Sequence, residues 1–459
     1  MSKGIEEAIK DSTIGDVLRN APFPAFAMPG LPAEYSNWAD EQRSWREAVC
    51  LYDQSHHMTD VTLEGSGAIP LLSSIAVNDF SNFPVDTAKQ LVAVNRDGYI
   101  IGDSIVFRLG EDEYRIVGGP PAPNWVHFHA ETRGQDIEIR RDDNSYVRRG
   151  DPELYRYQIQ GPKALDVMRK VLGTEPPKLK FFAMGHVTIA DRHVRALRHG
   201  MAGEPGYELF GPWADGDAVK SVLLEAGAEF GIRLVGGLAY ITNALESGWI
   251  PRPLPAIYSD GPLLAEYRKW LAAAGDPVVA TVGGSLAPGD VAGYYFTPFE
   301  LGYGKVVKFN HDFIGREALE RIVAEGRDTA RSKVTLVWNA DDAANLAGSV
   351  FHPGPGAKIL NLPMPLYATF QFDRVLANGK DIGRTAFTGY SANERAILAL
   401  ATVDSAYAEP GTEVTVVWGE SPNTAKPTAE HHVQVELRAT VHPAPITEYA
   451  RTTYRATSR

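Results

Sequence analysis

An α+β fold ending in a small β-barrel is what this sequence predicts, on three observations. The chain has 459 residues, which corresponds to about three domains at roughly 150 residues each. Up to about residue 330, amphipathic helical patterns mix with hairpin patterns, so mixed sheets are expected there. Beyond it, "SKVTLVWNA", "RTAFTGYS", "AILALATV", "TEVTVVWGE" and "HHVQVELRATV" are short strands separated by turn residues, with few helical patterns between them. The boundary falls near Gly326–Arg331 and divides the chain into 1–330 and 331–459.

The elements follow in order. "MSKGIEEAIKDSTIGDVLRN" is a mixed-charge amphipathic stretch without an apolar core, unlike a secretory signal. Residues 34–58 are helical in their middle, with Trp38, Trp45 and Val49 on one face. Residues 90–119 read as an antiparallel meander, turning at Asp97-Gly98 and again after Gly110. Residues 186–200 make another hairpin. Residues 216–231 form an amphipathic helix with Val219, Val222, Leu223, Ala226 and Phe230 inward and Gly231 as its stop. In "GGLAYITNALESGWIPRPLPA" (236–256), Leu238, Ile241, Leu245 and Trp249 make an apolar stripe. Gly248 sits near the end, and Pro251, Pro253 and Pro255 forbid continuation. Tyr240 falls on the opposite face, a polar ledge shared with Asn243 and Ser247.

Composition excludes several classes. With 44% hydrophobic and 22% charged residues, a core of normal size is possible. No apolar run approaches the roughly 20 residues that cross a bilayer. A single cysteine, Cys50, excludes a disulfide framework and thiolate-rich metal sites, and a cytoplasmic address is expected. The net charge of −12 disfavours nucleic acid, and an anionic ligand must be met by local cations. His56 and His57 are adjacent and point apart, and His127 and His129 lie on a predicted helix, so no metal site is expected; His57 alone stays open as a substrate-facing donor. The glycine-containing loops lack nucleotide-binding spacing, and no nucleophile elbow is present.

Two carboxylates are more informative. Asp103 in "YIIGDSIVF" and Glu208 in "GEPGYELFGP" interrupt apolar strands close to glycines. A charge there costs desolvation unless it has a partner. One such residue reads equally as a strand end facing solvent; two point to a binding site. These features alone name no reaction.

"YQIQGPKALDVM", "GEPGYELFGP", "GGLAYITNALESG" and "YYFTPFELGYGKVVKFNHDFIGREAL" resemble, in order, the glycine-cleavage T-protein, a tetrahydrofolate-using aminomethyltransferase. "SNWADEQRSWR", "LYDQSHHM", "FFAMGHVTIA" and "AYITNALESGWIPRPLPAIY" are closer to one branch, the tetrahydrofolate-dependent aryl O-demethylases of vanillate, 3-O-methylgallate and syringate. The resemblance implies a three-domain fold with a central folate channel, two interleaved α+β domains in 1–330 and the barrel in 331–459. It implies methyl transfer from an aromatic methoxy group to N5 of tetrahydrofolate. Tyr240 stands where that branch has its catalytic tyrosine, either as general acid or only stacked on the substrate. Glu208 and Gln158 are implied to hold the pterin, Asp103 to handle the N5 proton, and Gln90, Leu91 and Val92 to line the channel. Trp249 either packs on folate or is plain core. Gln54 and His57 are implied on the substrate side. Vanillate-type relatives carry an arginine where this chain has Gly119 and a tyrosine where it has Met28. The pocket is therefore expected to be more apolar, suited to an ortho-methoxybenzoate such as dicamba. An aminomethyltransferase acting on glycine derivatives and a non-enzymatic folate binder are the alternatives. Oligomeric state is left open.

Overall fold

The computed structural model describes residues 12–22, 27–133, 136–275, 280–365 and 367–454. Most of the N-terminal amphipathic stretch lies outside the described residues. The first sheet is antiparallel, with strands in spatial order Thr87–Val94, Ile100–Arg108, Glu113–Gly118, Thr59–Glu64 and Glu138–Asp142. It contains the expected meander. Asn95 Oδ1 accepts from the amides of Asp97 and Tyr99 and closes the turn, in which Gly98 takes φ 82°.

The second sheet runs Arg233–Val235, Cys50–Asp53, Leu154–Gln160, Gly206–Pro212, Arg192–Leu197, Met184–Ile189. The first of these pairs is parallel and the others antiparallel. The 186–200 hairpin is its edge. The chain starts the second sheet at Cys50, builds the first over residues 59–142, and returns at Leu154, so the two sheets interleave. Side chains alternate across a strand. Leu51, Ile159, Tyr207 and Leu209 therefore share one face and pack on Val219 and Leu223 of helix Gly216–Gly227. Tyr52, Gln158 and Glu208 are register neighbours on the other face.

Arg331 begins a closed six-stranded barrel ordered Arg331–Trp338, Ala396–Asp404, Lys380–Ser391, Arg374–Ala377, Glu413–Trp418, Val435–Pro443. Leu336, Trp338, Ala401, Val416 and Trp418 fill its interior. Five of the strands match those read from sequence. The four-residue strand Arg374–Ala377 is too short to show alternation. The helix Ala340–Gly348, capped by Asn339 Oδ1, is a further element that the strand-rich texture of this region does not announce.

The helix Gly237–Ser247 differs from expectation. Tyr240 is not on a polar ledge: it is 5% exposed, Asn243 2% and Glu246 1%. Helix Trp38–Glu47 and the barrel strand Lys380–Ser391 both pack on it. Periodicity marks the apolar stripe and cannot foresee a partner that covers the polar face. That second contact is polar. Glu246 accepts from Trp45 Nε1 at 3.0 Å, Arg46 Nη2 at 2.6 Å, Ser391 Oγ at 2.7 Å and Asn393 Nδ2 at 3.0 Å. Gln42 likewise donates to Thr242 Oγ1 and the Tyr390 carbonyl and accepts from the Ala392 amide. Buried polar groups need such partners, and here the partners come from both sides of residue 330.

Candidate functional site

Two side-chain clusters lie at the two ends of the helix Gly237–Ser247, an 11-residue element about 16 Å long at 1.5 Å per residue. The first surrounds Tyr240. Its hydroxyl is 3.1 Å from His57 Nε2, the two sharing a hydrogen, and 3.5 Å from Met201 Sδ. The ring stands edge-on to Tyr52 at 5.4 Å and to His57 at 4.8 Å. Gln54 Nε2 donates to Met201 Sδ at 3.1 Å and Gln158 Oε1 at 3.4 Å. Gln158 Oε1 also accepts from the Met201 amide. Met28 packs against the same apolar group, 3.4 Å from where a Cβ on Gly237 would sit. The adjacent histidines diverge, His56 turning to Ser145 Oγ and His57 to Tyr240.

Glu208 continues this cluster. Its carboxylate accepts from Arg156 Nη1 at 2.6 Å and lies 3.4 Å from His199 Nδ1. Arg156 also donates to Asp60 Oδ2 at 3.2 Å. Asp60 belongs to the first sheet and Glu208 to the second, so Arg156 joins them.

The second cluster gathers on Asp103 Oδ2. It accepts from Gln90 Nε2 at 2.8 Å, Tyr303 Oη at 2.8 Å and Trp249 Nε1 at 3.3 Å. Trp249 is 39% exposed, so the reading of it as core fails. Gly248 stops the helix at φ 69°, and the indole leaves the stripe to meet Asp103. Val92 and Leu91 are fully buried in the core. The Val92 amide donates to Asn78 Oδ1, and its carbonyl accepts from the Val77 amide. Neither backbone group is free to meet a ligand. Gly119 is exposed after strand Glu113–Gly118, and a Cβ there would meet only Pro121 Cδ at 3.9 Å. Packing would admit a side chain at this position.

Electrostatics separates these groups. Burial holds the Tyr240 phenol well above its usual pKa, so it keeps its proton. Burial, helped by the charge of Arg252, lowers His57 to about 4, so the ring is neutral near pH 7. Burial pushes Glu208 up, but His199 and Arg156 outweigh it and leave the carboxylate lowered. Burial raises Asp103 against its three donors. His57 Nδ1 and Gln54 Oε1 are buried and have no hydrogen-bond partner among the described residues. Unpaired buried polar atoms are uncommon and are expected where a ligand completes the set.

Sequence reasoning missed Arg156, His199, Met201 and Tyr303. Arg156 carries the signal that marked Asp103 and Glu208, a charge inside an apolar strand, "LYRYQIQ". His127 and His129 lie on helix Pro121–Thr132 as expected, with His127 facing Glu131. Among the described residues no group of three or more His, Cys, Asp or Glu could hold a metal ion, and no helix is long and apolar enough to cross a membrane. A cavity of about 1000 Å³ is lined by Arg19, Tyr99, Tyr258, Asp290 and Asn423 and by none of the predicted site residues.

The family model described as the GCVT N-terminal domain matches residues 18–251, slightly more than half of the chain. The chain belongs to the GCVT family. This GCVT protein is 44% identical over 458 residues to the syringate O-demethylase of a Sphingobium species, covering 99% of this chain and 98% of that one. It is 31% identical to the sesamin methylene transferase of a Sinomonas species, over 90% of this chain and 89% of that one. Identity to the aminomethyltransferase of Saccharopolyspora erythraea is 28%, over 86% and 90% of the two chains. The crystal structure of the glycine cleavage system aminomethyltransferase T from Bartonella henselae superposes with a TM-score of 0.61 at 20% identity, covering 94% of this chain and 95% of that one. The GCVT protein therefore has the T-protein fold, as its sequence motifs implied.

Proposed function

We propose that this GCVT protein is a methyltransferase that removes the methyl group of a methoxylated aromatic acid and passes it to tetrahydrofolate. The observation that carries this reading is the Tyr240–His57 pair: a buried phenol that keeps its proton, hydrogen-bonded to a neutral imidazole. The 44% identity to a syringate O-demethylase supports the reaction class.

The residues present fit a folate. Glu208 is a buried carboxylate held in its charged form, suited to the guanidine-like edge of a pterin. Gln158 stands beside it in the sheet register. Gln54 offers an unpaired buried oxygen. Tetrahydrofolate, when bound, supplies a secondary amine at N5 that accepts the methyl group. The protein has two tasks in that exchange. As the methyl–oxygen bond breaks, its electron pair stays on the aryl oxygen, and Tyr240 donates a hydrogen bond and then its proton there. Held above its usual pKa by burial, the phenol keeps its proton until charge develops on the aryl oxygen beside it. His57 Nε2 orients the hydroxyl. In this reading Asp103, raised by burial and held by Gln90, Tyr303 and Trp249, takes the proton that the amine gives up.

The test is anaerobic incubation with tetrahydrofolate and vanillate, syringate, 2-methoxybenzoate or dicamba, following 5-methyltetrahydrofolate and phenol by chromatography. The wild type should form both products from at least one substrate. Tyr240→Phe should lose on the order of 100- to 10,000-fold in kcat, the range of a general acid. No methyl transfer from any of them, with folate still bound, would sink the reading and leave the aminomethyl or folate-binding alternatives. The apolar Met28 and the side-chain-free Gly119 favour an ortho-substituted substrate such as dicamba over vanillate.

A further inference from the structure

Residues 198–205 join the paired strands Arg192–Leu197 and Gly206–Pro212 and contain no helix or strand of their own. Two of them reach the candidate site. His199 Nδ1 lies 3.4 Å from Glu208 Oε2 and 3.5 Å from Gln158 Nε2. The Met201 amide donates to Gln158 Oε1 at 3.1 Å, and the Met201 sulfur lies 3.5 Å from the Tyr240 hydroxyl. Next in line, the Ala202 amide donates to Gln160 Oε1 and the Glu204 carbonyl accepts from Gln160 Nε2, both at 2.8 Å. Glutamine side chains, not a strand ladder, hold this side of the loop. Its shape therefore depends on what backs it.

The backing comes from the segment that follows the barrel strand Val435–Pro443, namely helix Glu448–Thr452 and Tyr454. Tyr454 is buried, and its hydroxyl donates to the Gly200 carbonyl at 2.8 Å, across 254 residues of chain. The Arg198 guanidinium lies over its ring at 5.4 Å, and Phe181 stands edge-on to it at 5.7 Å. Phe181 stacks on Phe182, whose ring is 5.3 Å from His199. The helix meets the loop at a second point. A Cβ on Gly203, which has φ 74°, would lie 2.7 Å from Ala450 Cβ, so the missing side chain lets the helix rest on the loop backbone. Gly200 and Gly203 thus bracket Met201.

From these contacts we infer that Tyr454 is a positioning residue for the site: by holding the Gly200 carbonyl it keeps His199 on Glu208 and Met201 on Tyr240. It touches none of the reacting atoms. A buried carbonyl that loses its donor carries a desolvation cost, which the loop relieves by moving, and His199 and Met201 move with it. The consequence for tetrahydrofolate rests on the demethylase reading above, whereas the consequence for the loop does not.

The experiment uses the full chain and compares wild type with Tyr454→Phe and with Tyr449→Phe, a control that removes a phenol from the preceding helix. Each protein is treated with hydrogen peroxide, and the conversion of each methionine to its sulfoxide is followed by peptide mass spectrometry. In Tyr454→Phe, Met201 should oxidise on the order of 10-fold faster, the size of one lost hydrogen bond. Met168, fully buried in the core of the second sheet, should be unchanged. Calorimetry with tetrahydrofolate should show binding weakened on the order of 10-fold, with little change in melting temperature. A tyrosine that only stabilises the fold would instead lower the melting temperature and speed Met168 and Met201 together, which overturns the proposal. So does Met201 oxidation at the wild-type rate, the same acceleration in Tyr449→Phe, or faster oxidation of Met201 with unaltered tetrahydrofolate binding. A wild type that binds no tetrahydrofolate defeats the demethylase reading, and the peroxide result then decides the role of Tyr454 by itself.

Discussion

His57 makes stability depend on pH through a single ring. Its folded pKa of about 4 lies below the ordinary 6.5, so the unfolded chain binds the proton first. Stability contributed by the neutral ring is present above about pH 6.5 and is lost as pH falls toward 4. At 1.36 kcal/mol per unit of pKa difference, this amounts to up to about 3 kcal/mol. His129, lowered to about 3 by burial and by Arg133, adds to the same slope. Urea unfolding of wild type should therefore weaken steadily from pH 6.5 to 4, and His57→Gln should show a shallower decline over that window. Parallel curves would mean that the ring is not held neutral by its surroundings. The Tyr240 hydroxyl lies 3.1 Å from His57 Nε2, and donation from an Nε2–H leaves the phenol's own hydrogen for the aryl oxygen.

At the scale of the element, the end of one helix positions half of the site. Gly248 adopts φ 69° as the stop of Gly237–Ser247, and a Cβ there would meet the Pro445 nitrogen at 2.8 Å. Both the left-handed backbone and the contact demand glycine. Gly248→Ala should destabilise by about 1–3 kcal/mol in chemical denaturation, and the displaced turn should loosen the Trp249–Asp103 hydrogen bond, seen as altered tryptophan emission. A change within about 0.5 kcal/mol would show that the turn relaxes without strain. This stop was legible in sequence, from the glycine and the three prolines beyond it. What the indole does after the stop was not, since Asp103 stands 146 residues away in the chain.

Across the whole molecule, Glu246 binds Trp45, Arg46, Ser391 and Asn393 while almost fully buried. Glu246→Ala leaves Arg46 without that buried carboxylate and four donors without their acceptor. A loss of about 3–5 kcal/mol is expected, the range for breaking a buried ion pair. Calorimetry should then show the barrel and the two-sheet region melting in separate steps. A single transition at the wild-type temperature would show that the apolar contacts alone hold them together.

Element types along most of the chain, the barrel, the absence of a disulfide framework and the two strand carboxylates followed from sequence by itself. Each is written in residues close together, as alternation, helical spacing, turn glycines or a lone charge in an apolar run. The motif order also carried the T-protein fold. Only the tertiary structure decided that Tyr240 is enclosed, that Trp249 leaves the core for Asp103, and that Arg156 joins the two sheets. Burial and ion pairing are settled by elements brought together from distant parts of the chain. Arg156 and Asp60, 96 residues apart, carry no local pattern that announces their meeting.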